Sequence, residues 1–275
     1  MVSFNGFSYL VDCKFLFFGL CLMCIACSPT YQSNRVYIPQ HTEANQLRVE
    51  LGVTQADVSY SVLDSVQVNV GGVYSKGSFD SSEGTEDSIN GQQTRTESYT
   101  FSGTHVGFGV FKALDDEKNT VLSVNAGSAF QTWEFRREGD QLVIDDGYNN
   151  FNASIINPYV QLGVMFGKAN SNVSVAMRYE RPNFDFKDLQ GNTLANASKP
   201  TLMNLVIQPK YDLTERLSVF GQFVFRSNLG DDTMVDDTYE VSSMNLYVGL
   251  SYIMDFASKD QVVQSDDGIE VEHIN

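Results

Sequence analysis

The residues able to do chemistry are few and scattered. Three histidines stand at positions 41, 105 and 273, and four cysteines at 13, 21, 24 and 27. Hydrolysis would need a histidine within hydrogen-bond reach of a nucleophile and an orienting carboxylate. His105 alone lies in a patterned segment, where Thr104, Val106, Phe108 and Val110 alternate with His105, Gly107, Gly109 and Phe111. A hydrogen-bonded interior histidine is the expectation there, with catalysis through His105 as the sharper alternative. Asp231-Asp232 and Asp236-Asp237 are carboxylate pairs of the kind hard cations take, but they lack calcium-loop spacing and read as a solvated loop. No phosphate-cradling glycine motif, nucleophile elbow or zinc pattern occurs. A non-enzymatic protein with no cofactor, no catalytic residue and no metal site is expected.

Composition points to strands. Of 275 residues 42% are hydrophobic and 19% charged, with 21 Gly, 13 Tyr, 19 Phe and 6 Pro, which is rich for strands and poor for long surface helices. The net charge of −16 excludes nucleic acid as a partner, because no basic cluster is present to neutralise phosphates. The long apolar run is Phe15 to Cys27, preceded by Lys14. It is shorter than the roughly 20 residues of a spanning helix and suits the apolar core of a secretory signal.

At the end of that run, Cys24-Ile25-Ala26-Cys27 resembles the lipobox of bacterial lipoproteins, in which the last cysteine is acylated. The resemblance implies a lipoprotein signal over 1–27 and lipid attachment at Cys27; an ordinary signal peptide cleaved nearby is the alternative. All four cysteines fall in this leader, so the mature chain has no disulfide framework and no thiolate metal site. Residues 28–45 are polar without a sustained period and read as a tether.

From Gln46 to Phe256 the period is two, the signature of strands. The cleanest hairpin runs from Thr201 to Ser227. Met203, Leu205 and Ile207 share a face opposite Asn204, Gln208 and Lys210; past the turn Leu213-Thr214-Glu215-Arg216, Val219, Phe223 and Phe225 oppose Gln222 and Arg226. Similar arms recur about ten times, with eight strands as the alternative. Short turns at Leu63–Ser65, Asp115–Asn119, Lys168–Ser171 and Leu213–Arg216 alternate with polar stretches at Ser75–Ser98, Arg136–Ala153, Pro182–Pro200 and beyond Ser227. Trp133 and Phe135 shift the apolar phase of their strand, predicting a bulge or an exit from the sheet. Pro158 and Pro209 lack a donor and are expected near strand ends or bulges. Residues 257–275 read as an acidic disordered tail.

Arms of about 10 residues match the reach of a tilted strand across a bilayer, and long loops gathered at one end match an outer-membrane barrel. The expected fold is therefore all-β: a closed, antiparallel, up-and-down transmembrane β-barrel over 46–256, aliphatic face toward lipid. Its interior would be filled by a polar network of Arg48, Glu50, Asp57, His105, Arg178, Glu180, Lys210 and Arg226. The chain resembles the small outer-membrane β-barrel proteins of Gram-negative bacteria. The features that carry this are the lipobox-like Cys24–Cys27, the repeated hairpins, and the closing strand Asn245–Met254. In that strand Gly249, Tyr252 and Met254 look like the insertion signal read by the barrel-assembly machinery, although 19 residues follow Phe256.

The resemblance implies an outer-membrane location with a periplasmic, acylated N-terminus. It also implies the bilayer and the barrel-assembly machinery as partners, and a structural, adhesion or envelope-interaction role through the exterior loops. Because alternation alone does not say which face is inside, a periplasmic lipoprotein with a soluble lipocalin-like barrel around an apolar ligand is the alternative.

Overall fold

In the computed structural model the described residues are 36–38, 40–83, 93–138, 150–168, 171–194, 200–229, 244–256, 264–265 and 268–269. The strands are β1 (Gln46–Gly52), β2 (Gln55–Leu63), β3 (Val66–Glu83), β4 (Gln93–Ala113), β5 (Thr120–Glu138), β6 (Asn150–Gly167), β7 (Asn172–Glu180), β8 (Asn183–Lys187), β9 (Leu202–Asp212), β10 (Leu217–Asn228) and β11 (Met244–Asp255). Each pairs antiparallel with its neighbour, and β1 pairs β11 from Gln46↔Asp255 to Gly52↔Gly249, which closes the sheet. Closure gives every barrel strand except β8, which pairs β6 alone, a partner on both sides, removing the edges that a bilayer would not tolerate. The segment read as tail contains a separate two-residue ladder, β12 (Gln264–Ser265) with β13 (Gly268–Ile269).

The barrel has ten staves. β7 and β8 are two parts of one stave, since both pair with β6 in a single register, Tyr159↔Glu180 below and Ile156↔Asn183 above. Between them the ladder lapses where Pro158 meets Arg181-Pro182: both prolines lack a donor, and Arg181 N–H donates to Pro158 O at 3.2 Å. Pro209 likewise falls in a gap, between Lys210↔Phe220 and Ile207↔Phe223 of the β9–β10 ladder. Both prolines thus lie at ladder interruptions inside strands.

Short turns close one end. In the β4–β5 turn, Asp115 accepts backbone N–H bonds from Asn119 (2.8 Å) and Thr120 (2.6 Å). The Asn119 bond is the larger cause holding its carboxyl below the usual carboxylate range. At the other end the wall is uneven. β1 and β2 stop early at the Val53-Thr54 turn, while β3 to β6 run for 18, 21, 19 and 18 residues. Parts of the stretches expected as loops are strand: residues 75–83 and 93–98 of Ser75–Ser98, residues 136–138 and 150–153 of Arg136–Ala153, and β8 within Pro182–Pro200; residues 84–92 and 139–149 lie outside the described residues.

The long staves reverse their polarity partway up. On β6 the outward residues are Phe166, Val164, Leu162, Val160, Pro158 and Ile156, then Ser154 and Asn152; the inward residues are Gln161 and Asn157, then Ile155, Ala153 and Phe151. On β5, outward Leu122, Val124 and Phe130 give way to Thr132, Glu134 and Arg136, while inward Ser123 and Asn125 give way to Trp133 and Phe135. β7–β8 follow suit, with outward Val173, Met177 and Tyr179 then Arg181, Asp185 and Lys187, and inward Arg178 and Glu180 then Phe184 and Phe186. The phase shift at Trp133 and Phe135 is therefore neither a bulge nor an exit. The β5–β6 ladder is unbroken from Thr120↔Phe166 to Arg136↔Asn150, and the surroundings change instead.

Candidate functional site

The lower lumen is polar and occupied. Every residue of the expected network lies inside it and is buried: Arg48, Glu50, Asp57, His105, Arg178, Glu180, Lys210 and Arg226. The structure joins them in pairs around the wall rather than in one cluster. Lys210 Nζ lies 2.9 Å from Glu50 Oε1 and donates to Ser251 Oγ at 3.1 Å. Arg48 Nη1 donates to the same hydroxyl at 3.3 Å. Arg178 donates to Gln161 Oε1 (3.0 Å) and Glu180 Oε1 (3.3 Å), with its guanidinium 3.9 Å over the Tyr159 ring. Asn157 Nδ2 donates to Glu180 Oε2 at 3.0 Å, and Arg226 Nε to Asn204 Oδ1 at 2.7 Å.

His105 Nε2 sits 3.2 Å from Asp57 Oδ1, which also receives the Gln55 amide at 3.3 Å. Gly71 makes this approach possible: a Cβ there would fall 2.2 Å from Asp57 Oδ1 and 2.3 Å from His105 Cε1. Gly71→Ala is expected to cost about 1–3 kcal/mol through overpacking. The neighbouring outward Gly72, whose added Cβ would meet nothing closer than 3.5 Å, should accept alanine with little loss in the same urea-unfolding measurement.

The residues that fill the lumen belong to the segment expected as a tether. Residues 36–38 and 40–41 are buried inside the barrel, and from them the described chain descends to Gln46, the start of β1 at the short-turn end. Side chains of the wall hold its backbone carbonyls: Gln222 Nε2 donates to Val36 O (2.8 Å), Gln161 Nε2 to Tyr37 O (3.0 Å) and Arg48 Nη2 to Gln40 O (2.9 Å). Gln40 Nε2 donates to Ser174 Oγ (2.7 Å) and Asn172 Oδ1 (3.1 Å). Ser59 Oγ bonds both the Tyr37 hydroxyl and His41 Nε2. Val36 and Ile38 fit an apolar niche of Ala176, Val206 and Val224.

His41, expected outside the barrel, thus joins His105 within it. Nothing in the 28–45 stretch alternates, so periodicity carries no sign of this strap. The inward amides Gln161, Gln208 and Gln222 hint that something polar fills the lumen.

Below the strap, Phe111, Val121 and Met165 narrow the mouth, with His41 6.2 Å from the Phe111 ring. At the opposite end Phe101, Trp133, Phe135, Phe151, Ile155, Phe184 and Phe186 form an apolar cluster. Trp133 and Phe151 meet edge to face at 4.9 Å. Among the described residues no group of three or more His, Cys, Asp or Glu could hold a metal ion. Cys27 lies outside the described residues.

The sequence matches no established family and no curated protein. Among solved structures the chain is similar to the crystal structure of Acinetobacter baumannii CarO2, with 13% identity, a TM-score of 0.29, and coverage of 76% of this chain and 97% of that one. It is also similar to Acinetobacter baumannii CarO, with 14% identity, a TM-score of 0.26, and coverage of 77% and 98%.

Proposed function

We propose that the chain is a non-enzymatic, integral outer-membrane β-barrel protein whose lumen is sealed by its own N-terminal strap. Its tall β3–β8 wall stands outside the membrane for contact with the environment or partners. The observation that supports this is the polarity reversal. An apolar outside around a polar inside suits lipid, and a polar outside over an aromatic core suits water; both occur on the same staves, divided at one level.

The apolar outward run of β6, Ile156 to Phe166, spans 11 residues, roughly 25 Å for a tilted strand. Outward aromatics mark its margins, with Tyr74, Phe130 and Phe225 toward the long staves and Phe166, Tyr211 and Tyr252 toward the short turns. The polar, strap-filled lower lumen does not favour a soluble barrel around an apolar ligand. Acylation of Cys27, a periplasmic short-turn end, and insertion through β11 by the barrel-assembly machinery belong to this reading. The buried His105–Asp57 pair acts in it as a lumen contact.

Two outward β5 positions test the boundary. Val124→Arg places a charge in the apolar belt and is expected to cost about 2–4 kcal/mol, whereas Thr132→Arg, above the belt, costs about 0–1 kcal/mol. Unfolding of both variants in lipid vesicles measures this, and equal costs would overturn the membrane assignment. A folded barrel should also migrate faster on gels before boiling and stay detergent-dependent after Cys27→Ala; release by washing would argue against it.

A further inference from the structure

The strap runs in one direction. Val36 and Ile38 lie in the niche of Ala176, Val206 and Val224, and Val36 O accepts from Gln222. Gln40 is already at the foot of β7, bonded to Ser174 and Asn172. By Ala44 and Asn45 the backbone has reached the short turns, where their N–H groups donate to Asp64 Oδ1 (3.3 Å) and Ser61 O (2.8 Å). The chain thus descends without reversal from Val36 to Gln46, and whatever precedes Val36 joins the strap at its upper end.

The mouth beneath is full. At the level of Gln40 and His41 the strap meets Arg48 of β1 and Ser59 of β2, Ser174 of β7, and the Phe111 ring of β4. Met165 packs with Phe111 across the β4–β6 sector, and Lys210 bonds Ser251 across β9–β11. Gln40 and His41 are 0% exposed. In an interior packed this closely a second pass of the chain has no room beside the first. The other end is low on one side. β1 stops at Gly52, paired with Gly249, while Gln222, which holds Val36, pairs with Tyr247 two residues farther up β11. Val36 therefore stands at about the height of the rim made by the Val53-Thr54 turn, and Val53 on that rim is 87% exposed, so the rim is uncovered.

We propose that the chain ahead of Val36 leaves the barrel over this rim, so that the N-terminal segment of the mature protein is displayed on the exterior face. The inference rests on the membrane reading above, and it departs from the periplasmic N-terminus that the lipoprotein resemblance implies. Length does not choose between the two ends, since the nine residues from Cys27 to Val36 extend to about 30 Å, enough for either. The direction of the strap and the filled mouth choose. A lipid on Cys27 would then sit in the exterior leaflet, and the strap would be a thread held between that anchor and β1.

The test labels single cysteines of the full chain on intact cells with a maleimide polymer too large to cross the outer membrane, and reads the added mass on gels. The wild-type chain, whose cysteines all lie at or before Cys27, sets the background. Ser33→Cys reports on the segment, Lys76→Cys on the tall wall and Glu215→Cys on the Leu213–Arg216 turn; Lys76 and Glu215 are both exposed. Ser33→Cys and Lys76→Cys are expected to gain one polymer on intact cells, and Glu215→Cys to gain it only after the outer membrane is permeabilised. A Ser33→Cys chain that labels together with Glu215→Cys, or that stays unlabelled until the barrel is unfolded, would overturn the proposal. The two controls separate the failures. If Lys76→Cys and Glu215→Cys label alike or in reverse, the membrane reading falls and the thread with it; if they differ as expected, only the thread does.

Discussion

Lys210→Met is expected to lower the unfolding free energy by about 3–5 kcal/mol, because it removes the ammonium that faces the buried Glu50 carboxylate. Both side chains are fully buried, at 0% exposure, with the charged atoms 2.9 Å apart. The cost is set by the burial of that carboxylate and not by the length of the contact. The double variant Lys210→Met with Glu50→Leu should therefore recover most of the loss, and the cycle should show a coupling of several kcal/mol. Lys118–Glu43 is the contrast. It is shorter, 2.7 Å, but its side chains are 42% and 51% exposed, so Lys118→Met should cost less than about 1 kcal/mol. Urea unfolding in lipid vesicles, followed by the emission of Trp133, the single tryptophan, gives all four values. A Lys210→Met loss no larger than that of Lys118→Met would mean that the lumen hydrates the carboxylate as water does.

The barrel was legible because alternation is a property of the backbone. Leu205 and Ile207 against Asn204 and Gln208 must lie on opposite faces in any strand, and the four short turns fix antiparallel neighbours. What alternation could not carry is the medium on each side. A period read as apolar-outside along a whole strand makes Trp133 and Phe135 look like errors of register, when they mark the level at which the outer face turns polar and the inner face aromatic. The upper parts of β3 and β4 were hidden for the same reason. There Ser78, Thr96, Ser98 and Thr100 mimic loop composition, although they form the solvated outer face of a continuous ladder.

β8 lies within the stretch from Pro182 to Pro200 that reads as a loop; the strand resumes after Pro182 because Asn183 re-enters the β6 register. The lumen residues followed from their position opposite the aliphatic face, so Arg48, Glu50, Lys210 and their neighbours could be named from the pattern. Their partners could not. Tyr37, Ile38 and Gln40 belong to a stretch with no period, and their burial depends on amides and hydroxyls far away in sequence, such as Gln222 and Ser174.

Removing residues 36–42 is expected to turn a silent barrel into a conducting one. The interior of an eight-stranded barrel is just filled by its own side chains, and ten staves enclose a wider lumen that here admits one extended segment. The wall meets that segment with donors aimed at its carbonyls, from Gln222, Gln161 and Arg48. Once it is gone, those side chains face a vacated polar space that water enters, because each hydrogen bond lost to the strap costs about 1–3 kcal/mol unless water replaces it. Burial of Val36 and Ile38, about 1.5–3 kcal/mol apiece, is lost as well, so the shortened chain should be less stable while the ladder that closes it persists.

Ile38→Asp reaches the same state without deletion, since a carboxylate against Ala176, Val206 and Val224 has no partner there and favours expulsion of the strap. In planar bilayers the wild type should show no current steps, and both variants discrete ones. Silent variants that still shift on gels when boiled would show that the wall side chains close the lumen by themselves. The strap would then serve to stabilise the barrel and not to seal it.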